Sequence, residues 1–215
     1  MYRVVALGHW AAGVVDRLRT IGNFDDIRFV YCDTDTECLM SHGNNNDEHI
    51  LLTSLKQCRE AIRKDCEFMT VLVTDLGDRA TLKYVADIVY ELWGYADYTY
   101  CFTTAPKLRN TTVIKEEYAN LFRWITDHSL ITVLQDRSRL PENLDSYHGI
   151  ALLLGLVLHH PRKGTSDERN ELPFGVLATE KQLYMAFQAM YSNNPEMQGY
   201  YDAATISFHK STHEY

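Results

Sequence analysis

The sequence predicts a single α/β domain of three layers, in which a mainly parallel sheet carries helices on both faces. Short apolar runs alternate with stretches of helical periodicity along most of the 215 residues. The apolar runs lack the polar alternation of a half-exposed strand, which indicates strands covered on both sides. This order is typical of parallel strands joined by right-handed crossovers, so we expect any binding site at the carboxyl edge of the sheet.

The predicted buried strands are five runs rich in Val, Ile, Tyr and Thr. They are Arg3–Leu7, Ile27–Cys32, Phe68–Thr74, Tyr98–Thr104 and Leu130–Leu134. Near the end of the chain, Thr205–Phe208 is a further candidate strand. The polar segment Ser41–His49 contains three consecutive Asn and is predicted to be an exposed loop.

The predicted helices show apolar residues at helical spacing between the strands. Ser54 is the expected N-cap of the first of these stripes. The stripes are Leu55, Cys58 and Ile62; Val85, Ile88, Val89, Leu92 and Trp93; and Ile114, Tyr118, Leu121, Phe122 and Ile125. Beyond them, Thr179–Tyr191 has the same periodicity.

Composition excludes several classes of partner. The net charge of −8 argues against nucleic acid, because binding to a phosphate backbone depends on clustered Lys and Arg. The longest apolar run, Gly149–Leu158, is shorter than the roughly 20 residues that span a bilayer, and the amino terminus has no recognisable signal peptide. The five cysteines are odd in number and follow no metal-ligand spacing, which fits a reducing cytoplasm.

A charged segment divides the chain. Residues 161–171 (PRKGTSDERNE) are punctuated by Gly and Pro and are predicted to form a linker or flexible loop. It separates a nucleotide-binding-type domain at residues 1–160 from a tail at residues 172–215. We expect the tail to be helical and to pack on the domain.

The turn after the first strand has the composition of a phosphate-binding loop. Residues 6–13 (ALGHWAAG) lead from a strand into a helix, and backbone N–H groups at such a turn can hold a phosphate. A Walker A loop is excluded, because Val14 and Val15 stand where Lys and Ser or Thr are required.

Two interpretations of this turn remain. A dinucleotide site would use Gly8 together with Asp33 or Asp35, whose carboxylates follow the second strand and could accept from a ribose hydroxyl. Alternatively, the small residues only let the strand and helix pack closely, and the bulk of Trp10 favours this second interpretation.

Four segments distributed along residues 1–160 carry a family resemblance. They are VVALGHWAAGVVDRL, FVYCDTDTECLM, MTVLVTDLGDRAT and ITVLQDRSRL. Together they resemble the nucleotide-binding domain of the tubulin/FtsZ superfamily, and most closely the bacterial cell-division family FtsZ. Gly13 takes the place of the Asn that ends the first loop of FtsZ, and residues 16–17 take that of its Asn-Arg pair. Residues 33–35 (DTD) match its Asn-Thr-Asp, and residues 135–137 (QDR) its Asn-Asp-Arg.

The resemblance implies a site for GTP or GDP along these loops. The nucleotide-binding positions that it implies are Gly8, His9, Trp10, Gly13, Asp33, Asp35, Gly77, Asp78, Thr81 and Asn110.

The chain departs from the family at the phosphates and at the base. The family's Gly-rich phosphate loop corresponds here to residues 75–81 (DLGDRAT). Without the glycines the backbone cannot approach phosphates closely, and Asp75 and Asp78 add negative charge. With Asp33 and Asp35 they could form an acidic rim that holds Mg²⁺, but we interpret Asp75 and Asp78 as helix caps. The helix that should offer a carboxylate or amide to guanine, Ile150–Leu158, contains neither. Together these departures argue against ordinary GTP binding.

We therefore expect a degenerate FtsZ-like domain that does not hydrolyse GTP and acts by self-association or by binding a protein partner. In the superfamily, acidic residues on a second domain of the neighbouring subunit complete hydrolysis, and the tail is too short to supply that domain. The alternative is a Rossmann-type enzyme that binds a mononucleotide or NAD(P), for which the sequence offers no clear acid, base or nucleophile. No metal site is expected, since residues 159–160 and the pair His209 and His213 are interpreted as solvated histidines.

Overall fold

A computed structural model describes residues 2–25, 27–63, 69–95, 98–105, 112–158, 185–189, 192–194 and 197–208 of the protein. The strands are β1 (Tyr2–Leu7), β2 (Ile27–Asp33), β3 (Glu48–Leu51), β4 (Met69–Asp75), β5 (Tyr98–Ala105), β6 (Ile131–Asp136) and β7 (Ala204–Phe208). They form one sheet in the order β3-β2-β1-β4-β5-β6-β7. β1 to β6 are parallel, whereas β7 runs antiparallel to β6. The predicted α/β fold is confirmed.

Helices lie between the strands, as the periodicity predicts. They are α1 (His9–Ile21), α2 (Thr36–Met40), α3 (Leu55–Arg63), α4 (Arg79–Tyr95), α5 (Thr112–Asp127), α6 (Ser146–Leu158) and α7 (Gln198–Ala203), and residues 185–189 are also helical. The predicted cap of α3 is present, because the Gln57 N–H donates to Ser54 Oγ over 3.3 Å. Of the apolar stripe on α4, the four aliphatic residues are buried, but Trp93 is 49% exposed and meets His128 edge-on.

The sheet is covered on both faces because side chains alternate between two apolar layers. In β1, Val4 and Ala6 join the layer that holds α1 and α6, and Val5 and Leu7 join the layer of α3, α4 and α5. Strands buried on both sides explain why the apolar runs show no polar alternation. Within the described ranges, no helix has the length and apolarity needed to cross a membrane.

Small residues let α1 approach α6 closely. A Cβ atom at Gly13 would lie 2.9 Å from Cε1 of Tyr147, so only glycine fits against that ring. Beside it, Trp10 is buried, stacks on Tyr147, and donates from Nε1 to Ser146 Oγ over 3.2 Å. The close packing at Gly13 is therefore between the helices α1 and α6, whereas the prediction was close packing of the strand against the helix. The indole of Trp10 belongs to the core.

The segment predicted as a loop at Ser41–His49 is only partly a loop. Its last two residues begin β3, which pairs with β2 through Val30↔Glu48 and Cys32↔Ile50. β3 is a four-residue strand with no fully buried side chain, so it lacks the apolar run by which the other strands were predicted. Pairing with β2, rather than local composition, defines it.

The described part of the tail completes the first layer and the sheet. Phe187, Tyr200 and Ala203 are buried in the layer of α1 and α6, and β7 pairs along β6, for example through Val133↔Ile206. The described part of the tail therefore contains a strand as well as helix, in agreement with the candidate strand at Thr205–Phe208. The predicted linker at 161–171 lies outside the described residues.

Candidate functional site

The strand order places a crevice between the ends of β1 and β4. From β1 the chain proceeds outward to β2 and β3, and β4 then starts on the other side of β1. Ligands of open parallel sheets bind outside the carboxyl ends of the strands at such a switch point. Two segments flank it: Gly8 and His9 after β1, and the turn from Asp75 to Asp78 after β4.

Gly8 is held against the turn that follows β4. Its backbone has φ 88° and ψ 167°, a conformation that only glycine adopts readily. A Cβ atom there would lie 2.6 Å from Asp78 Oδ2 and 3.1 Å from Thr81 Oγ1. The Gly8 N–H donates to the carbonyl of Cys32 over 2.8 Å. The glycine thus admits the Asp78 carboxylate, while its own N–H is used within the sheet.

Asp78 caps α4, as the sequence interpretation expects. Its Oδ1 accepts from the Ala80 N–H over 3.0 Å, and its Oδ2 accepts from Thr81 Oγ1 over 2.8 Å. A carboxylate at this position also interacts favourably with the positive end of the helix. The amino terminus of α4, which faces the crevice, therefore already holds an anionic group from its own chain.

Asp75 is an ion-pair residue, which corrects the interpretation of this acid as a helix cap. Its Oδ2 accepts from Arg137 Nη2 over 2.8 Å, and its Oδ1 accepts from the Gly77 N–H over 2.7 Å. The guanidinium carbon of Arg137 lies 5.3 Å from the centroid of the Trp10 ring. The pair joins the ends of β4 and β6 above the indole.

The Arg137→Ala variant should lose stability because it leaves Asp75, which is 8% exposed, without its cation. We expect a loss of about 2–3 kcal/mol, somewhat below the cost of breaking a fully buried pair. Urea unfolding followed by circular dichroism measures it. Arg139→Ala is the matched control. Because that side chain is exposed, the free energy of unfolding should change by no more than about 0.5 kcal/mol. If the two variants lost the same amount of stability, Arg137 would not be the cation that stabilises Asp75.

A second group of side chains meets at the same edge, after β1 and β2. His9 Nδ1 lies 3.2 Å from Cys38 Sγ and 3.0 Å from His42 Nε2. The ligand atoms of these three residues all lie within 4.8 Å of one another. Sequence reasoning missed this group, although Cys38 and His42 have i, i+4 spacing just after a predicted strand. Metal-ligand spacing was sought among the cysteines alone, which does not indicate a mixed group of one cysteine and two histidines.

Carboxylates surround this group and hold it in place. Asp33 Oδ2 accepts from Cys38 Sγ over 3.3 Å, while its Oδ1 accepts from the N–H groups of Thr34 and Asp35. Asp35 caps α2 by accepting from the Cys38 N–H over 3.0 Å. The two acids of the predicted ribose site are thus occupied with their own loop.

His42 is oriented by Asp16. The carboxylate oxygen Oδ2 of Asp16 lies 2.6 Å from His42 Nδ1. The other oxygen accepts from Tyr31 over 2.9 Å and from the Gly43 N–H over 3.2 Å. Because Nδ1 faces a carboxylate, it is the donor in this contact, and Nε2 faces His9 Nδ1 at 3.0 Å.

The local field at Cys38 is negative. Burial and the hydrogen bond to Asp33, together with the charges of Asp33, Asp35 and Asp78, raise the pKa of the Cys38 thiol to about 11. Burial likewise raises the pKa of the Cys101 thiol to about 12. Of the four cysteines that the structure describes, Cys38 is the one that is partly exposed. Because carboxylates also surround it, a cation would be favoured there.

The structure brings most of the sequence-predicted positions to one edge of the sheet. Gly8, Gly77, Asp78 and Thr81 flank the switch point, and His9 lies between the two groups. Asp33 is the last residue of β2, and Asp35 caps α2. Gly13 and Trp10 lie in the packing between α1 and α6. Asn110 lies outside the described residues. The binding of nucleotide at these positions stays a prediction.

Comparison with solved structures shows a tubulin-like fold. TubZ of Clostridium botulinum phage c-st superposes with a TM-score of 0.61 at 14% identity, over 79% of this chain and 63% of that one. A CetZ protein of Methanosaeta thermophila superposes with a TM-score of 0.57 at 12% sequence identity, over 73% of this chain and 52% of that one. A CetZ protein of Haloferax volcanii was solved as a GTPγS-bound protofilament. It superposes with a TM-score of 0.59 at 14% sequence identity, over 73% of this chain and 57% of that one.

These likenesses establish the fold alone, since identities are low and the chain spans less than two thirds of each relative. No protein-family model and no curated protein matches the sequence. The expected tubulin/FtsZ-like arrangement is thus confirmed as a fold.

Proposed function

We propose that this chain is a tubulin/FtsZ-like domain that does not hydrolyse GTP and acts by associating with copies of itself or with a protein partner. The proposal combines the fold with the chemistry of the switch-point crevice. The solved relative from Haloferax volcanii forms a GTPγS-bound protofilament. In this chain we expect assembly without the nucleotide.

The observation that carries the proposal is the Asp78 carboxylate against Gly8. A phosphate at a helix amino terminus needs N–H groups and a positive field. Here the N–H groups of Gly77 and Ala80 already bond to the carboxylates of Asp75 and Asp78, and that of Gly8 bonds to Cys32. A triphosphate would have to displace these bonds and lie against carboxylates, so the residues do not fit that ligand.

The base-binding end supports the same proposal. α6 has the sequence SYHGIALLLGLVL, without Asp, Glu, Asn or Gln, and seven of its residues are buried. A guanine ring is recognised through its donor N–H groups, and this helix offers no side-chain carboxylate or amide to accept them. Among the described residues, the turn after β4 offers the phosphates no free N–H at Gly77 or Ala80, and α6 offers the base no carboxylate or amide.

The test is sedimentation velocity of the full chain over a range of concentrations, with and without GTP–Mg²⁺, together with a phosphate-release assay. We expect association that depends on protein concentration but not on GTP, and no phosphate release above the rate in buffer. Association that requires GTP, or turnover that Thr81→Ala abolishes, would contradict the proposal. A chain that remains monomeric at every concentration would reject self-association and leave partner binding.

A further inference from the structure

The group formed by His9, Cys38 and His42 has the composition of a transition-metal site. A thiolate and two imidazoles are ligands that Zn²⁺ favours, whereas Mg²⁺ and Ca²⁺ take oxygen ligands. The three residues come from two adjacent segments of the carboxyl edge: His9 from the start of α1, and Cys38 and His42 from α2 and the turn after it. The parallel pairing of β1 with β2 brings these segments together.

The distances suit one ion. Around a tetrahedral Zn²⁺ with ordinary bond lengths, sulfur and nitrogen ligands lie about 3.6 Å apart and two nitrogens about 3.3 Å apart. The observed separations from His9 Nδ1 are 3.2 Å to Cys38 Sγ and 3.0 Å to His42 Nε2. Small rotations of exposed His9 are enough to open the space for an ion.

The protons of the group also suit an ion. His42 Nδ1 faces Asp16 at 2.6 Å, which leaves Nε2, the nitrogen next to His9 Nδ1, as the one available to an ion. The Cys38 thiol donates to Asp33 Oδ2 over 3.3 Å, so its sulfur lone pairs also face the group. Asp16 orients its histidine as the carboxylates behind zinc-bound histidines do.

We propose that His9 Nδ1, Cys38 Sγ and His42 Nε2 bind one Zn²⁺ ion, with the fourth position taken by water or an external ligand. On binding, His9 gives up the Nδ1 proton that it shares with His42 and carries its ring proton on Nε2 instead. The Cys38 thiol gives its proton to solvent, and the thiolate coordinates the ion. The ion joins the start of α1 to α2, which is a metal-dependent clamp at the edge of the crevice. The inference does not depend on the proposed function, since it uses neither nucleotide nor assembly.

Cobalt is the probe for this site. The reduced, tag-free full chain is titrated with Co²⁺, and a sulfur-to-cobalt charge-transfer band with the visible bands of tetrahedral Co²⁺ should grow to one equivalent. Addition of Zn²⁺ should abolish both. A second readout is thermal melting, in which Zn²⁺ should raise the Tm of the chain.

Variants assign the ligands. Cys38→Ser should lose the charge-transfer band, and His42→Ala or His9→Ala should weaken Co²⁺ binding at least tenfold. Asp16→Asn, a positioning variant, should weaken it roughly 10- to 100-fold without removing the band at saturation. Circular dichroism checks that each variant is folded.

Two controls exclude other sources of the signal. Cys101→Ala removes a buried thiol far along the sheet and should keep the band. A second control removes four histidines that are not part of the proposed site, through His159→Ala, His160→Ala, His209→Ala and His213→Ala combined. This variant should also keep the charge-transfer band. No sulfur-to-cobalt band at one equivalent, or a band that persists in Cys38→Ser, overturns the proposal.

Discussion

A chain shortened to residues 1–160 is expected to aggregate when expressed. The missing part contains Phe187, Tyr200 and Ala203, which are buried in the layer of α1 and α6, and β7, which covers the edge of β6. Burial of each large side chain contributes about 1.5–3 kcal/mol. For Phe187 and Tyr200 together this is about 3–6 kcal/mol, which reaches the lower end of the roughly 5–15 kcal/mol stability of a typical domain. In addition, the uncovered β6 edge can pair with other chains.

The measurement is the soluble fraction after expression, followed by gel filtration. A chain that ends at Phe208 is the control and should stay soluble with the thermal transition of the full protein. Phe187→Ala is a smaller change than removal of the tail, and it should lower the free energy of unfolding by about 3–5 kcal/mol. A soluble chain of residues 1–160 with a single cooperative transition would show that the tail is not part of the core.

Gly8→Ala is expected to cost about 3 kcal/mol of stability. A side chain at φ 88° and ψ 167° is strained by about 1–3 kcal/mol. In addition, its Cβ would lie 2.6 Å from Asp78 Oδ2, a carboxylate that the cap of α4 holds in place. For a chain of this size the change corresponds to a fall in Tm of roughly 6–12 °C, measured by differential scanning calorimetry.

Gly94→Ala is the matched control for that substitution. Gly94 lies in α4, and nothing lies within 4 Å of a Cβ atom built there. Gly94 is the second-last residue of α4, where helix propensity counts for less than in the interior, so this variant should change stability by no more than about 0.5 kcal/mol. A Gly8→Ala variant as stable as the wild type would mean that the loop and the Asp78 carboxylate can move apart freely, and the account of the crevice would fail.

Most of the sheet could be predicted from the sequence, because strands buried on both faces leave an apolar run. β1, β2, β4, β5 and β6 are all of this kind. β3 could not be predicted in this way: its residues Glu48 and His49 are polar, and only hydrogen bonds to β2 define the strand. β7 covers the edge of β6 through a pairing between segments that are distant in the sequence, so this contact could not be predicted from local composition either.

The location of the candidate site could be predicted from the sequence, but the contacts between distant residues within it could not. The carboxyl edge follows from strand order, and the cap at Asp78 follows from the turn before α4. The ion pair of Asp75 with Arg137 joins residues 62 positions apart, which no local pattern indicates. His9 and His42 are 33 positions apart, so their meeting requires knowledge that β1 and β2 are neighbours.

The most direct test of the account is a thermal melt of the full chain with GTP–Mg²⁺. A ligand at 100 times its dissociation constant adds about 2.7 kcal/mol, which corresponds to roughly 5–10 °C in a chain of this size. With the Asp78 carboxylate against Gly8, we expect a shift below about 1 °C at millimolar GTP. A rise of several degrees that saturates with GTP would show that the crevice binds the nucleotide and would contradict the account.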